Sequence, residues 1–165
     1  MSDLTQVSAD DEALLRRAIE LAQRSREAGN HPFGAVLVAA GGARFDAQNT
    51  VVVSGDPTGH AETNLVRLVS GHLSRDQLQG STLYTSTEPC AMCAGAIYWA
   101  GIGRVVYALP EQELAALVPA QDGEPTMDLP CREVFARGGR TVVVAGPALV
   151  AEATAVHAGF WDAER

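Results

Sequence analysis

The chain contains no lysine: its positive side-chain charge rests on twelve arginines, set against twenty aspartates and glutamates for a net charge of −8. Proteins that grip a long phosphate backbone carry a basic stripe or tail. None is present here, and the last residues, Trp161-Asp162-Ala163-Glu164-Arg165, are mixed in sign. This argues against a nucleic-acid partner. Cysteine is scarce too. Cys90, Cys93 and Cys131 cannot build a disulfide framework, and the close spacing of the first two points to a reducing compartment, hence the cytoplasm. No apolar run approaches the roughly 18 residues of a membrane span. The N-terminus, Met1-Ser2-Asp3-Leu4, lacks the basic-then-apolar order of a signal peptide. Internal repeats and low-complexity tracts are also missing. What remains is 165 residues, 47% hydrophobic and 19% charged, the composition of one soluble domain spanning 1–165.

Apolar spacing divides the chain into elements. Asp10 or Asp11 is placed to cap a helix running to about Ala28, with Leu14, Leu15, Ala18, Ile19, Leu21 and Ala22 as its stripe. Phe33 to Ala40 reads as a strand ending at a Gly41-Gly42 turn, and Arg44 to Val53 as a second strand. The loop Gly55-Asp56-Pro57-Thr58-Gly59 delivers His60 to a helix reaching about Leu73, with Gly59 loosening the approach. Ser81 to Ser86 is a strand, and Pro89 stands at the first position of a helix that stops near Gly101-Ile102-Gly103. Arg104 to Tyr107 follows as a strand, close enough behind to imply a parallel crossover. Leu109 to Asp128 reads as irregular, Thr141 to Val144 as a last strand and Ala148 to Trp161 as a last helix. The pattern is α/β: a three-layer α/β/α sandwich with a mixed central sheet. Such sheets collect ligands beyond the carboxyl ends of their parallel strands.

Two short motifs carry chemistry. His60-Ala61-Glu62 lies upstream of Pro89-Cys90-Ala91-Met92-Cys93. Two thiolates and one imidazole make a tripod for Zn²⁺ that leaves the fourth tetrahedral position open to water, as catalytic zinc sites do. A purely structural site would want a fourth ligand, and the one remaining cysteine, Cys131, is far downstream and reads as a small buried hydrophobe. Cys90 and Cys93 fall one helical turn apart, and His60 at the start of another helix, so two helix N-termini converge on the metal and favour the thiolates. Glu62 reads as a general acid/base for hydrolysis of an amidine-like ring carbon, moving a proton from water to the ring and then to the departing amine. Read by itself it is a first-turn helix acid. His31, His72 and His157 show no ligand spacing.

The H-x-E…P-C-x-x-C arrangement is that of zinc-dependent nucleobase deaminases. With Pro32-Phe33-Gly34-Ala35-Val36, Asn49, Asp56-Pro57-Thr58, Tyr84-Thr85-Ser86-Thr87-Glu88 and Gly95-Ala96-Ile97-Tyr98-Trp99-Ala100, the chain resembles the cytidine deaminase superfamily over roughly Leu14 to Leu109. Within it, the small bacterial nucleobase and tRNA-adenosine deaminases are most similar. The resemblance implies a zinc cofactor held by His60, Cys90 and Cys93, with Glu62 catalytic. It implies that Asn49 hydrogen-bonds the base, that the Ala61 amide holds the base edge, and that the Glu88 carbonyl accepts from the leaving amine. Taken alone, Asn49 is a turn former at a strand end. Phe33 looks like the aromatic of the guanine-deaminase branch that stacks on the base, although its spacing equally suits the core. The expected activity is hydrolytic deamination of a free base or analogue: guanine-like, triazine-type or cytosine-like. The alternative is tRNA-specific adenosine deamination, and a third reading is a zinc-stabilised scaffold without turnover. The resemblance also implies a homodimer, formed through the face of the Cys90 helix. Asp122, Glu124 and Asp128 are candidate acceptors for an exocyclic amine, although acidic loops are generally just solvated. Phe160-Trp161 reads either as a cap over the pocket or as a docking anchor.

Overall fold

A computed structural model describes residues 3–118 and 127–164, with side chains as far as residue 162. Helix α1, Ala9–Glu27, begins after Ser8, whose Oγ accepts from the Asp11 amide at 3.1 Å while Asp11 Oδ2 accepts from the Ser8 amide at 2.9 Å. Asp11 therefore completes a capping box from inside the helix and is not the cap residue. Its carboxylate also accepts two bonds from Arg104, at 2.8 and 3.0 Å, and one from the Tyr84 hydroxyl at 3.0 Å. Burial pushes this carboxyl up, but the hydrogen bonds from Arg104, Ser8 and Tyr84 together outweigh it and hold the group well below the usual carboxylate range. The start of α1 is thereby pinned to the sheet.

Strands β1 (Gly34–Val38) and β2 (Arg44–Gln48) form an antiparallel hairpin. A side chain on Gly34 would run into the Ala18 carbonyl and the Ala22 amide of α1, so glycine lets helix and strand approach closely. The expected second strand stops short of Val53. Val51–Ser54 is instead a short helix, α2, whose Val51 amide is taken by Asn49 Oδ1 at 3.0 Å. A run of valines favours a strand, but here a local side-chain bond turns the chain, and Val52 and Val53 are left exposed.

Strands β3 (Thr82–Thr87), β4 (Arg104–Leu109) and β5 (Val143–Ala145) complete a five-stranded sheet in the order β2-β1-β3-β4-β5. The β3–β4 and β4–β5 pairs are parallel and the others antiparallel, giving the mixed sheet expected. Alternation along the strands sorts the core. Val36, Tyr84, Val106 and Ala108 face α1 and α8 (Val150–His157), whereas Ala35, Leu37, Leu83 and Val105 face α3 (Ala61–Ser70), α5 (Ala91–Ala100) and α7 (Cys131–Ala136). Two helical layers therefore enclose one sheet. Helices α4 (Arg75–Gln79) and α6 (Glu111–Leu117) lie where the sequence shows no helical period, being one to two turns long. The last helix is likewise shorter than its sequence pattern, ending at His157 before a 3-10 turn at Trp161–Glu164. No helix among the described residues is long and apolar enough to cross a membrane.

Candidate active site

The site forms beyond the carboxyl end of β3, where the strand hands over to α5. Cys90 is the N-cap residue of α5 and His60 that of α3, so both stand in extended backbone just ahead of a helix. The loop before His60 is knitted in place. Asp56 Oδ1 accepts from both the amide (2.8 Å) and the hydroxyl (2.7 Å) of Thr58, and the Thr50 amide donates to the Gly59 carbonyl at 2.8 Å. Asn64 Nδ2 ties the Gln48 carbonyl at 2.9 Å to Thr50 Oγ1 at 3.0 Å. Gly59 does not loosen this loop. A Cβ there would lie 2.8 Å from Thr50 Oγ1, so the glycine permits close packing that fixes His60.

His60 Nδ1 lies 3.6 Å from Cys90 Sγ and 3.5 Å from Cys93 Sγ, and one ligand atom from each of the three falls within 4.8 Å of the others. Zinc bonds of about 2.3 Å to sulfur and 2.0–2.1 Å to nitrogen, opened to the tetrahedral angle, separate S and N by about 3.5 Å. The trio fits zinc without rearrangement. Hydrogen bonds from Cys93 and His60 pull the Cys90 thiol down to about 4, while the hydrogen bond to Cys90 and burial hold the Cys93 thiol far above its usual range. His60, Cys90 and Cys93 would hold a cation here, whose charge would favour both sulfurs as thiolates. His31, His72 and His157 join no such group among the described residues.

Glu62 sits in the first turn of α3 and is 6% exposed. Its Oε1 accepts from Thr85 Oγ1 at 2.8 Å, and its Oε2 lies 3.6 Å from Cys93 Sγ. Burial, reinforced by the nearby Cys90 charge, pushes this carboxyl up. Thr85 Oγ1 also lies 2.9 Å from the Thr87 carbonyl, so its one proton serves one acceptor at a time.

A small cavity of about 100 Å³ opens against the trio. Phe33, His60, Glu62, Glu88 and Cys90 line it, joined by Thr87, Glu111 and Leu114, none of which was expected as a site residue. Thr87 continues the face of β3 that carries Leu83 and Thr85, an alternation visible in retrospect. Glu111 follows Pro110 at a helix start inside a stretch that reads as irregular. Burial and the neighbouring Cys90, Glu88 and Glu62 push its carboxyl up to about 7. The Glu88 side chain reaches away from the metal trio. Its two oxygens accept from the amides of Glu111 at 3.0 Å and Cys131 at 2.9 Å, the first residues of α6 and α7.

Asn49 is 1% exposed, with Oδ1 committed to Val51 and no partner for Nδ2, and its amide donates to the Phe33 carbonyl. Ala61 is fully buried at the head of α3. Trp161 does not line the cavity. It packs behind Phe33 at 6.3 Å and stacks on His157, to whose Nδ1 it donates at 3.2 Å. Burial lowers His157 to about 4, so this imidazole is a neutral packing element. Asp122 and Glu124 lie outside the described residues, and Asp128 is not among the residues lining the cavity.

Residues 8–109 match the cytidine and deoxycytidylate deaminase zinc-binding region. The chain belongs to that family of deaminases. Over 161 residues the deaminase is 39% identical to a probable cytosine deaminase of Schizosaccharomyces pombe, covering 98% of each chain. It is 46% identical to the guanine deaminase of Bacillus subtilis over 105 residues, 63% of this chain and 67% of that one. A solved structure in complex with 2,6-diaminopurine superposes with a TM-score of 0.76 at 26% identity, covering 97% of this deaminase and 86% of that chain. Family membership makes the protein a zinc-dependent aminohydrolase, with His60, Cys90 and Cys93 as its possible metal site.

Proposed function

We propose that the protein deaminates a free nucleobase of cytosine-like or guanine-like chemistry, replacing a ring C–NH₂ by C=O and releasing ammonia for each water consumed. The observation that carries this reading is the juxtaposition of a buried carboxyl, Glu62, with the His60–Cys90–Cys93 trio at the floor of one small cavity. Zinc, when bound there, supplies a Lewis acid that makes water a competent nucleophile near neutral pH. Glu62 takes a proton from the attacking water and delivers it to the ring nitrogen, then protonates the amine as the C–N bond breaks. Thr85 fixes the orientation of that carboxyl, and the Glu88 carbonyl accepts from the departing amine. The Ala61 amide and Asn49 Nδ2 hold the base edge, and Phe33 covers one face of the ring.

Cavity size and charge both favour a base over a polynucleotide. Drug-sized ligands occupy roughly 300–1,000 Å³, and about 100 Å³ suits a single heterocycle. A probable cytosine deaminase aligns over 98% of its length at 39% identity and a guanine deaminase at 46% identity, against 32% for a tRNA-specific adenosine deaminase aligned over 79% of its own length. An RNA substrate would need several phosphate contacts, from a chain with net charge −8 and no lysine. The test is ammonia release from a panel of free bases, nucleosides and an RNA hairpin carrying the target adenosine. Free bases should turn over at rates that change little between low and physiological salt, and the hairpin should not react. Salt-sensitive deamination of the hairpin, with no free base attacked, would establish the tRNA-type activity instead. We place this single-domain enzyme in the cytoplasm as a homodimer. Trp99 and Met92 on α5, 86% and 38% exposed, offer the apolar contact, and sedimentation should return the mass of two chains.

A further inference from the structure

Within the cavity, two polar groups play no part in the mechanism above. Thr87 is 2% exposed and lines the cavity, yet its Oγ1 meets no hydrogen-bond partner among the described residues. A buried hydroxyl without a partner is costly, and such groups in folded proteins are few. Glu111 lines the same cavity, and no described residue donates a hydrogen bond to its carboxylate. Its charged neighbours are mainly acidic: Cys90, Glu88 and Glu62, against His60 alone on the other side. The group is held there regardless, because Glu88 Oε2 takes the Glu111 amide at 3.0 Å and sets the start of α6 against the cavity. A buried hydroxyl without a partner and a half-buried carboxylate without a donor, among the described residues, thus line a space the size of one ring.

We propose that Thr87 and Glu111 form a specificity wall that reads an N–H-bearing edge of the base, so that the preferred substrate carries an amino or ring N–H donor in addition to the amine that is removed. The inference rests on the nucleobase reading and narrows it. Phe33 and Leu114, the apolar members of the lining, can pack on any heterocycle. The wall discriminates, since a base without the extra donor leaves the buried Thr87 hydroxyl unpaired and the half-buried Glu111 carboxylate without a donor. Sites built to hydrogen-bond a particular substrate group reject analogues lacking it far more strongly than apolar pockets reject a changed methyl.

The experiment measures binding of 4-aminopyrimidine and 2,4-diaminopyrimidine, which differ by one amino group, to the zinc-loaded protein by calorimetry. Wild type should prefer the diamino ring by about tenfold or more, the scale of one hydrogen bond to a charged group. Thr87→Val and Glu111→Gln should each collapse that ratio towards unity, whereas Thr87→Ser, which keeps the hydroxyl, should preserve it. Unchanged zinc content and melting temperature would show that the variants are folded. Equal affinity of wild type for the two rings overturns the wall, as does an equal loss for both rings in the variants. The deaminase reading then stands or falls separately on ammonia release from the base panel. Binding of neither ring, with no base deaminated, overturns both.

Discussion

Glu62→Gln should retain zinc and bind the base with little change in affinity, while losing turnover by about 10³–10⁴. A single general acid/base step contributes roughly 10²–10⁴, and this carboxyl serves proton removal from water, delivery to the ring and protonation of the amine. The loss therefore belongs at the upper end. Glutamine has the same shape and can still accept from Thr85 Oγ1, whose bond to Glu62 measures 2.8 Å, so the packing of this 6% exposed position should survive. What the amide lacks is a proton to move. Steady-state kinetics alongside metal analysis and base titration separate the two effects. A kcat near that of wild type, in protein carrying one zinc per chain, would rule out the proposed role.

Cys93→Ala should empty the metal site and destabilise the fold together. Cys93 is fully buried in α5, and its sulfur stands 3.5 Å from His60 Nδ1. Two protein ligands are too few for tight zinc binding at a site that already leaves one position open. Losing a ligand present at a thousand times its dissociation constant removes about 4 kcal/mol of stability. For a domain of this size that corresponds to a fall in melting temperature of roughly 8–16 °C. Mild chelation followed by metal analysis and thermal melting gives both numbers. Full zinc occupancy in the chelated variant would disprove the ligand assignment.

That His60, Cys90 and Cys93 gather at one point with Glu62 beside them was legible in the sequence, because metal chemistry restricts residue types and a helix start restricts spacing. The sheet was legible for a related reason, since β4 is a nearly continuous apolar run and one helix separates it from β3, whose β-branched threonines and Tyr84 favour a strand. Elsewhere local bonds overrode propensity. Asn49 turns three valines into α2, and Ser8 rather than an aspartate caps α1. Gly59 reads as slack until the Thr50 hydroxyl is seen against it. Glu111 was hidden for a different reason. Its stretch is short, acidic and flanked by proline, and its place at the cavity depends on a bond to Glu88, some twenty positions earlier, and on the packing of Leu114.

The Glu88 carboxylate has a consequence for how such an enzyme changes over generations. One side chain holds the first amides of both α6 and α7, and so fixes where the chain leaves at position 111 and returns at position 131. Substitutions or length changes inside that span begin and end at points already fastened beside the metal site. They can alter what the protein accepts without displacing what performs the reaction. Novelty is thereby confined to a replaceable insert. The exposure to damage is concentrated as well: loss of the one acid at position 88 would unpair the first amides of both helices at once, leaving Leu114, Cys131 and Phe135 to hold them by packing alone.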